Sequence, residues 1–349
     1  MASSCWRPFP SLLALWFILW GMSSCSPDQD PSDMSGGTYS LEIPPGFPSM
    51  PVPAGNELTY ERVALGRKLF FDPILSADST VSCGSCHRPH LAFADDRVVS
   101  TGVADRPGFR NAPSLANIGY HPYFLREGGV PTLEQQVAVP VQEYHEFDTS
   151  FPEIIERLLT RPDYIEASQQ AYGRDPDVFV VTRALGAFQR TLISGSSPWD
   201  RFYYQGDLLA VSREAIQGWQ VFGEKGCTHC HSGFDFTDYS FQNIGLYLDY
   251  PDPGRWRLTG LDADIGRFKV PSLRNVDITA PYMHDGSLTS LDEVLDHFAS
   301  GGQAHPNRSP QVVPITWMPG EREAIKAFLR SLTDDAFLTN PDFIDGNGL

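Results

Sequence analysis

The chain has 349 residues, a formal net charge of −17 and 41% hydrophobic residues. This acidic balance argues against nucleic acid as a partner, because phosphate binding requires a positive surface. The length favours two domains. No apolar run reaches the 18 residues that a membrane-spanning helix needs.

The first 25 residues have the pattern of an export leader. Arg7 is the single charge, residues 11–20 are an apolar segment, and small residues precede Cys25. This order is typical of a bacterial lipoprotein signal, in which Cys25 is acylated. Secretion with cleavage nearby is the alternative. Both interpretations predict export, and the first predicts a periplasmic protein whose only membrane contact is the lipid anchor. The Ser-, Pro-, Asp- and Gly-rich stretch that follows predicts a flexible tether over residues 26–54.

An amphipathic helix is predicted at two places, each containing the pattern G-x-x-(L/V)-F, at Gly66 and at Gly218. The apolar positions that mark these helices are Val63, Leu65, Leu69 and Phe70 in the first, and Ile216, Trp219 and Phe222 in the second.

Each helix leads into the pentapeptide C-x-x-C-H, the attachment signature of c-type haem. Two cysteines on one turn reach the two vinyl groups of the porphyrin, and the adjacent histidine becomes an iron ligand. In a four-cysteine zinc site the two cysteine pairs lie closer in sequence than these motifs, which are 144 residues apart, so the spacing argues against zinc. A disulfide within each pair leaves the histidines unexplained. The sequence predicts two covalently attached haems, held by Cys83, Cys86 and His87 and by Cys227, Cys230 and His231.

The repeat continues after each motif. The sequence P-S-L-x-N occurs at Pro113 and Pro271, and a glycine follows fifteen residues later in both copies. Thr132 and Ser290 come at the same offset after these glycines and are typical helix N-caps. The repeat therefore predicts two tandem haem domains, each with a helix over the far side of its haem.

Three further apolar patterns predict helices near residues 154–159, 180–192 and 324–332, and no sustained period-two alternation occurs. The predicted fold is mostly α, with long loops and few strands. A Ser/Gly/Pro run over residues 194–198 marks the domain break. The predicted boundaries are a leader at 1–25, the tether at 26–54, an N-terminal haem domain at 55–200, a C-terminal haem domain at 201–335, and a tail at 336–349.

From residue 58 to residue 332 the chain resembles the bacterial di-haem cytochrome c peroxidases and their MauG-like relatives. The matching stretches are LGRKLFFDPILSADSTVSCGSCH, RNAPSLANIGY, GGVPTLEQQ, FKVPSLRN and APYMHDGSLTSLDEVL. The resemblance implies two cytochrome-c-like helical domains with a calcium ion between them. It implies that one haem reacts with peroxide and the other receives electrons from a small donor protein. Carried over, the calcium ligands are Asn111, Thr279 and Pro281.

The two distal pockets differ at three equivalent positions, counted from the glycines of the repeat. These are Gln136, Pro140 and Glu146 in the first half, and Val294, Phe298 and Ala304 in the second. Cleaving peroxide requires a group that moves a proton between its oxygens. By resemblance Glu146 has this role, Gln136 binds the peroxide or a water, and Pro140 leaves the iron free of a sixth ligand. His145 is a rival acid–base group.

Three departures from the family pattern bear on function. The loop over residues 100–107 has no histidine to ligate the first haem, which brings the chain closer to MauG-like members. Arg126 stands where the family has an inter-haem tryptophan. Phe93 or Tyr123 are alternative electron relays, although core packing is the simpler interpretation of both. Phe298 replaces the usual methionine or tyrosine ligand of the second haem. That haem is then either five-coordinate or ligated by one of the remaining candidates in that half, which are His297, His305, Met283 and Met318.

Three functions remain open at this point. The first is an exported peroxidase that reduces hydrogen peroxide to water with electrons from a cytochrome c or a cupredoxin. The second is a MauG-like oxidase that oxidises aromatic residues of a partner protein. The third is a passive di-haem electron carrier, which Gln136 and Glu146 argue against. A homodimer is compatible with each.

Overall fold

The computed structural model describes residues 37–344, so the predicted leader, Cys25 and the start of the predicted tether lie outside the described residues. Helix accounts for 43% and strand for 5%, which confirms the mostly helical fold with few strands. Among the described residues, no helix has both the length and the apolar character needed to cross a membrane.

The regular elements are short and separated by long loops. The helices are α1 (Tyr60–Phe71), α2 (Cys83–Cys86), α3 (Leu133–Gln136), α4 (Ala138–Gln142), α5 (Phe151–Leu159), α6 (Pro162–Tyr172), α7 (Val178–Thr191), α8 (Pro198–Gln205), α9 (Arg213–Glu224), α10 (Trp256–Thr259), α11 (Leu291–Ser300), α12 (Glu321–Arg330) and α13 (Asp335–Leu338). The strands β1 (Phe241–Gln242) and β2 (Phe268–Lys269) pair antiparallel, with Phe241 opposite Lys269.

The predicted repeat is visible as two equivalent helix crossings, α1 on α7 and α9 on α12. A Cβ atom added to Gly66 would lie 1.9 Å from the backbone oxygen of Ala184, and one added to Gly218 would lie 1.9 Å from that of Ala324. Only glycine permits so close an approach of two helices. The G-x-x-(L/V)-F pattern therefore marks the crossing point in both halves.

Two clusters of buried apolar side chains lie on the two sides of residue 195. The second contains Trp199, Phe222, Phe328 and Leu332, and the first extends from Leu65 to Leu192. The first cluster also includes Phe337 and Phe343, whose rings lie 5.8 and 6.1 Å from that of Phe93. The described part of the segment predicted as a tail is therefore packed into the core of the opposite half.

The described part of the predicted tether, residues 37–54, is also packed rather than free. Met50 is buried, and the ring of Phe47 lies 4.7 Å from that of Phe234. The amide of Tyr39 donates to the carbonyl of Leu58 at 2.9 Å. Composition predicted flexibility here, but the apolar side chains within the stretch find partners on the folded body.

The helix predicted after Thr132 is broken, whereas its counterpart after Ser290 is continuous. Both N-cap side chains accept a hydrogen bond from the backbone three residues later, as predicted. In the first half the helix divides into α3 and α4, and Pro140 lies within α4. Proline has no N–H and its ring clashes with the carbonyl four residues earlier, that of Gln136. The predicted helix therefore begins after Thr132 as expected but is divided into two short helices in this half.

Candidate active site

The two motif histidines are held in the same way. Nδ1 of His87 donates to the carbonyl of Phe93 at 2.7 Å, and Nδ1 of His231 donates to that of Phe236 at 3.0 Å. A carbonyl can only accept, so Nδ1 carries the proton and the lone pair of Nε2 is available for a metal. Burial lowers the pKa of both side chains, which keeps the imidazoles neutral.

The four motif cysteines are free thiols in the described chain. α2 contains Cys83 and Cys86, while a 3₁₀ turn begins at Cys227. The amides of His87 and His231 each donate to the carbonyl of the first cysteine of their motif, both at 2.9 Å. One turn thus places two thiols and an imidazole together in each half, as thioether attachment and axial ligation of a haem require.

A cavity lies against His231 and has the character of a haem crevice. Cys227 and Cys230 border it, and its walls are mostly apolar. Phe298 and Val294, the residues of the second half that the repeat places on the far side, also line it. The donor set and the apolar walls fit a c-type haem.

Glu146 lies close to the first motif. Its carboxylate interacts electrostatically with the thiols of Cys83 and Cys86. Within residues 37–344 the carboxylate has no hydrogen-bond partner, and the residue as a whole is exposed. The surrounding protein desolvates the group and raises its pKa to about 7, with a smaller contribution from the charge of Glu143. Glu146 therefore titrates near neutral pH, the range in which a proton carrier is most effective.

The loop that has no histidine fixes the backbone of Glu146. The amide of Val103 donates to the carbonyl of Glu146 at 2.9 Å. A Cβ atom added to Gly102 would lie 2.2 Å from the carbonyl oxygen of His145. Nδ1 of His145 donates to the carbonyl of Pro107 at 2.9 Å, which directs this ring to the loop. These contacts favour Glu146 over His145 as the acid–base group. Sequence reasoning missed Gly102, because its role depends on a contact across more than forty residues of chain.

Side-chain contacts also hold the loop over residues 100–107 against the segment that contains Glu146. Arg106 forms an ion pair with Asp148 at 2.6 Å, and its guanidinium lies 3.7 Å from the ring centre of Tyr144. Together with the backbone bond to Val103, these contacts hold the loop and the Glu146 segment in one arrangement.

The chain is similar to known di-haem proteins in both sequence and structure. Residues 60–208 match the family model described as di-haem cytochrome c peroxidase. The methylamine utilization protein MauG of Methylorubrum extorquens is 39% identical over 299 residues, covering 84% of each chain. The chain belongs to the di-haem cytochrome c peroxidase and MauG family. A cytochrome-c peroxidase of Denitromonas iodatirespirans is 33% identical, with 86% of this chain and 89% of the relative covered. The crystal structure of a MauG-like protein associated with microbial copper homeostasis superimposes with a TM-score of 0.85 at 32% identity, covering 89% of this chain and all of that one.

As a member of this family the chain is a di-haem oxidoreductase that acts on peroxide. The other predicted residues of its first pocket are half-buried. Gln136 has no side-chain hydrogen-bond partner within the described residues, and Pro140 follows the helix break. The predicted relay residue Phe93 is fully buried among other phenylalanines, whereas Tyr123 stacks on Phe241 with ring centres 5.0 Å apart.

The structure separates the four candidate ligands of this peroxidase's second haem. His297 uses Nε2 to bond the carbonyl of Ile244 at 3.0 Å, and His305 accepts from the amide of Asn307 at 3.0 Å. Met318 is 61% exposed and lies outside the cavity lining. Met283 alone of the four borders the cavity beside His231.

The side-chain oxygen of Asn111 that is expected to bind calcium is already engaged. Both oxygens of Asn111 accept hydrogen bonds from the guanidinium of Arg126. The hydroxyl of Thr279 donates to the carbonyl of Val276 at 3.2 Å. Calcium needs six to eight oxygen ligands directed at one point, and here a cation of the protein already holds the side-chain oxygen of Asn111. In this arrangement Asn111 does not fit calcium.

Proposed function

We propose that the chain is an exported peroxidase in which each C-x-x-C-H motif holds one haem covalently. Cys83 and Cys86 form the thioethers in the first half and His87 is the iron ligand. Cys227, Cys230 and His231 have the same roles in the second half. The carbonyl-bonded Nδ1 of each histidine supports this assignment, because it leaves Nε2 as the only basic nitrogen. When bound, the first haem supplies a vacant iron site for peroxide and the second receives electrons from the donor.

Glu146 is the proton carrier of the first pocket. The carboxylate accepts a proton from one oxygen of hydrogen peroxide and returns it to the other as the O–O bond breaks. Two electrons and two protons complete the conversion of one peroxide to two waters. The single observation that carries the proposal is the unpartnered carboxyl with a pKa near 7 beside the haem-binding thiols.

Gln136 and Pro140 assist without titrating. The free amide of Gln136 donates to or accepts from the bound peroxide and orients it. Pro140 has no ligating atom and interrupts the helix, so the pocket side of the first half has neither a competing iron ligand nor a continuous helix.

The electron donor is a small redox protein, either a cytochrome c or a cupredoxin. The apolar leader and the small residues before Cys25 support export to the periplasm and a lipid anchor at that cysteine. Anchoring would confine the enzyme to a membrane surface, where small periplasmic donors reach it by diffusion.

A MauG-like oxidase is the second candidate function. The observation that favours it is the loop over residues 100–107, which contains no histidine and is bonded to the backbone of Glu146. Such a pocket needs no rearrangement before peroxide enters. In that case an aromatic residue of a partner protein replaces the small donor as the source of electrons.

The experiment is stopped-flow absorbance of the haems after the ferric protein is mixed with hydrogen peroxide. We expect Glu146→Gln to slow the peroxide reaction about 10²–10⁴-fold, the usual contribution of acid–base assistance. Glu143→Gln is the matched control, since it removes a neighbouring carboxylate and leaves the carrier in place. Equal rates in parent and Glu146→Gln would reject the role.

Steady turnover then separates the two candidate functions. Reduced cytochrome c and reduced cupredoxin are each offered with peroxide to the parent protein. Continuous oxidation of either one supports the peroxidase. Fast reaction with peroxide but no turnover with either donor supports the oxidase.

A further inference from the structure

Arg126 is a half-buried cation at the boundary between the two halves. Its Nε and Nη2 atoms donate to the backbone oxygen of Asn111 at 3.2 and 2.7 Å, and Nη2 also donates to Oδ1 of Asn111 at 3.1 Å. The backbone carbonyl of Arg126 accepts from the amide of Lys269 in the second half at 2.6 Å. The backbone carbonyl of Arg126 therefore contacts the second half directly. Its guanidinium bonds Asn111 of the first half and interacts electrostatically with Asp252 and Asp285 of the second half.

Asn111 is held in one orientation. Its Nδ2 donates to the carbonyl of Arg97 at 3.1 Å, so Oδ1 is turned to Arg126. Its own amide donates to the carbonyl of His284 at 3.0 Å, which connects it to the second half. Every polar group of Asn111 thus has a protein partner, and both oxygens face the same guanidinium.

The neighbouring carboxylates are engaged as well. Nε of Arg110 donates to Asp252 at 2.6 Å, and the same guanidinium forms an ion pair with Glu127. Among residues 37–344, no group of three or more His, Cys, Asp or Glu side chains is arranged to hold a metal ion. A calcium ion at Asn111 would meet the guanidinium of Arg126 on its ligand, and the carboxylates of Asp252 and Glu127 are already paired with Arg110.

We propose that the guanidinium of Arg126 takes the place of calcium as the cation that joins the two halves of this chain. A planar guanidinium matches this task, because its fixed N–H groups can bond two oxygens of one residue at once. Calcium instead requires a set of convergent oxygens. The chain therefore assembles both haem-binding halves without calcium, in contrast to what the family resemblance implies.

The first test uses the parent holoprotein. The protein is prepared with calcium in the buffer, desalted and analysed for metals by mass spectrometry, and its melting temperature is measured in excess EGTA and in excess calcium chloride. We expect calcium well below one ion per chain and the same melting temperature in both solutions. One tightly held calcium per chain, whose removal lowers the melting temperature, would overturn the proposal.

The second test uses Arg126→Gln, which removes the cation and frees the oxygens of Asn111. We expect a melting temperature several degrees below that of the parent, which added calcium raises. Arg255→Gln is the matched control: Arg255 donates to the carbonyl of Glu127 at 2.8 Å and stacks over Phe241 at the same boundary, without contacting Asn111. Calcium should leave this control unchanged. Equal responses of the two variants to calcium would count against Arg126. If Arg126→Gln does not fold, the metal content of the parent still decides.

Discussion

The distal sides of the two haem pockets differ although the scaffold beneath them is the same. Each half crosses two helices at a glycine and anchors its histidine on a backbone carbonyl. At the positions that the repeat makes equivalent, the first half has Glu146, Gln136 and a broken helix, whereas the second has Val294 and Phe298 on the continuous α11. In the proposed function the shared scaffold binds the haem, and these positions distinguish a reactive pocket from an apolar one.

This contrast shows how two halves with the same fold can have different chemical roles. Val294 and Phe298 in the second pocket have no group that moves protons, which suits a centre that only exchanges electrons. The first pocket has a carboxyl whose pKa is raised to about 7 by desolvation. Introducing a helix break into the second half, or removing the titratable carboxyl of Glu146 from the first, should therefore make the two pockets more alike.

The largest effect is expected from introducing the helix break into the second half. Phe298→Pro removes a backbone donor within α11 and sets the ring against the carbonyl of Val294. We expect the free energy of unfolding to fall by about 3 kcal/mol or more. Urea denaturation followed by circular dichroism measures it. Phe298→Leu is the control, because it keeps the helix and an apolar wall, and equal stability of the two variants would contradict the interpretation.

The next effect concerns the pH dependence of the peroxide reaction. The carboxylate form of Glu146 accepts the proton, and its fraction rises with pH through the raised pKa of about 7. We expect the rate to rise about 50-fold between pH 5 and pH 7 and then to level off, as a single titrating base requires. Stopped-flow measurement across this range checks it. Glu146→Gln should abolish the rise, and a parent profile that is flat over these two pH units would exclude Glu146 as the base.

The smallest effect tests the shared scaffold. Gly66→Ala and Gly218→Ala each place a methyl group against a backbone carbonyl of the crossing helix, at the same 1.9 Å. Overpacking of this kind costs about 1–3 kcal/mol. We expect similar losses in urea denaturation from both variants. Gly223→Ala is the control, since an added Cβ there meets nothing within 4 Å. A large cost in one half only would show that the two crossings are not equivalent.

Sequence analysis predicted the repeated parts of the molecule because they depend on local patterns. Apolar spacing gave α1 and α9, and the N-caps Thr132 and Ser290 marked the starts of α3 and α11. The C-x-x-C-H motifs led to both proposed sets of haem ligands for the same reason. Comparison of the halves then identified Glu146 as the carboxyl unique to one pocket.

The features that sequence analysis missed depend on contacts between distant segments. Gly102 is unremarkable in its own loop and acquires a role only where the backbone of His145 passes it. The partner of Arg126 was equally invisible, because Asn111 reaches it across a loop. Pro140 was predicted to leave the iron free of a sixth ligand, but the sequence analysis did not predict that the same residue divides the helix.

The C-terminal segment has a consequence for the order of assembly. Phe337 and Phe343 pack against Phe93, the residue whose carbonyl orients His87, and Arg67 of α1 bonds the carbonyl of Ile344. During synthesis the N-terminal half emerges first, yet the wall behind its proximal histidine arrives with the last residues described. The core of the N-terminal half is thus complete only after the C-terminal segment has been synthesised. A chain interrupted before residue 337 would leave the ring of Phe93 without these two neighbours, so the core behind His87 would stay incomplete.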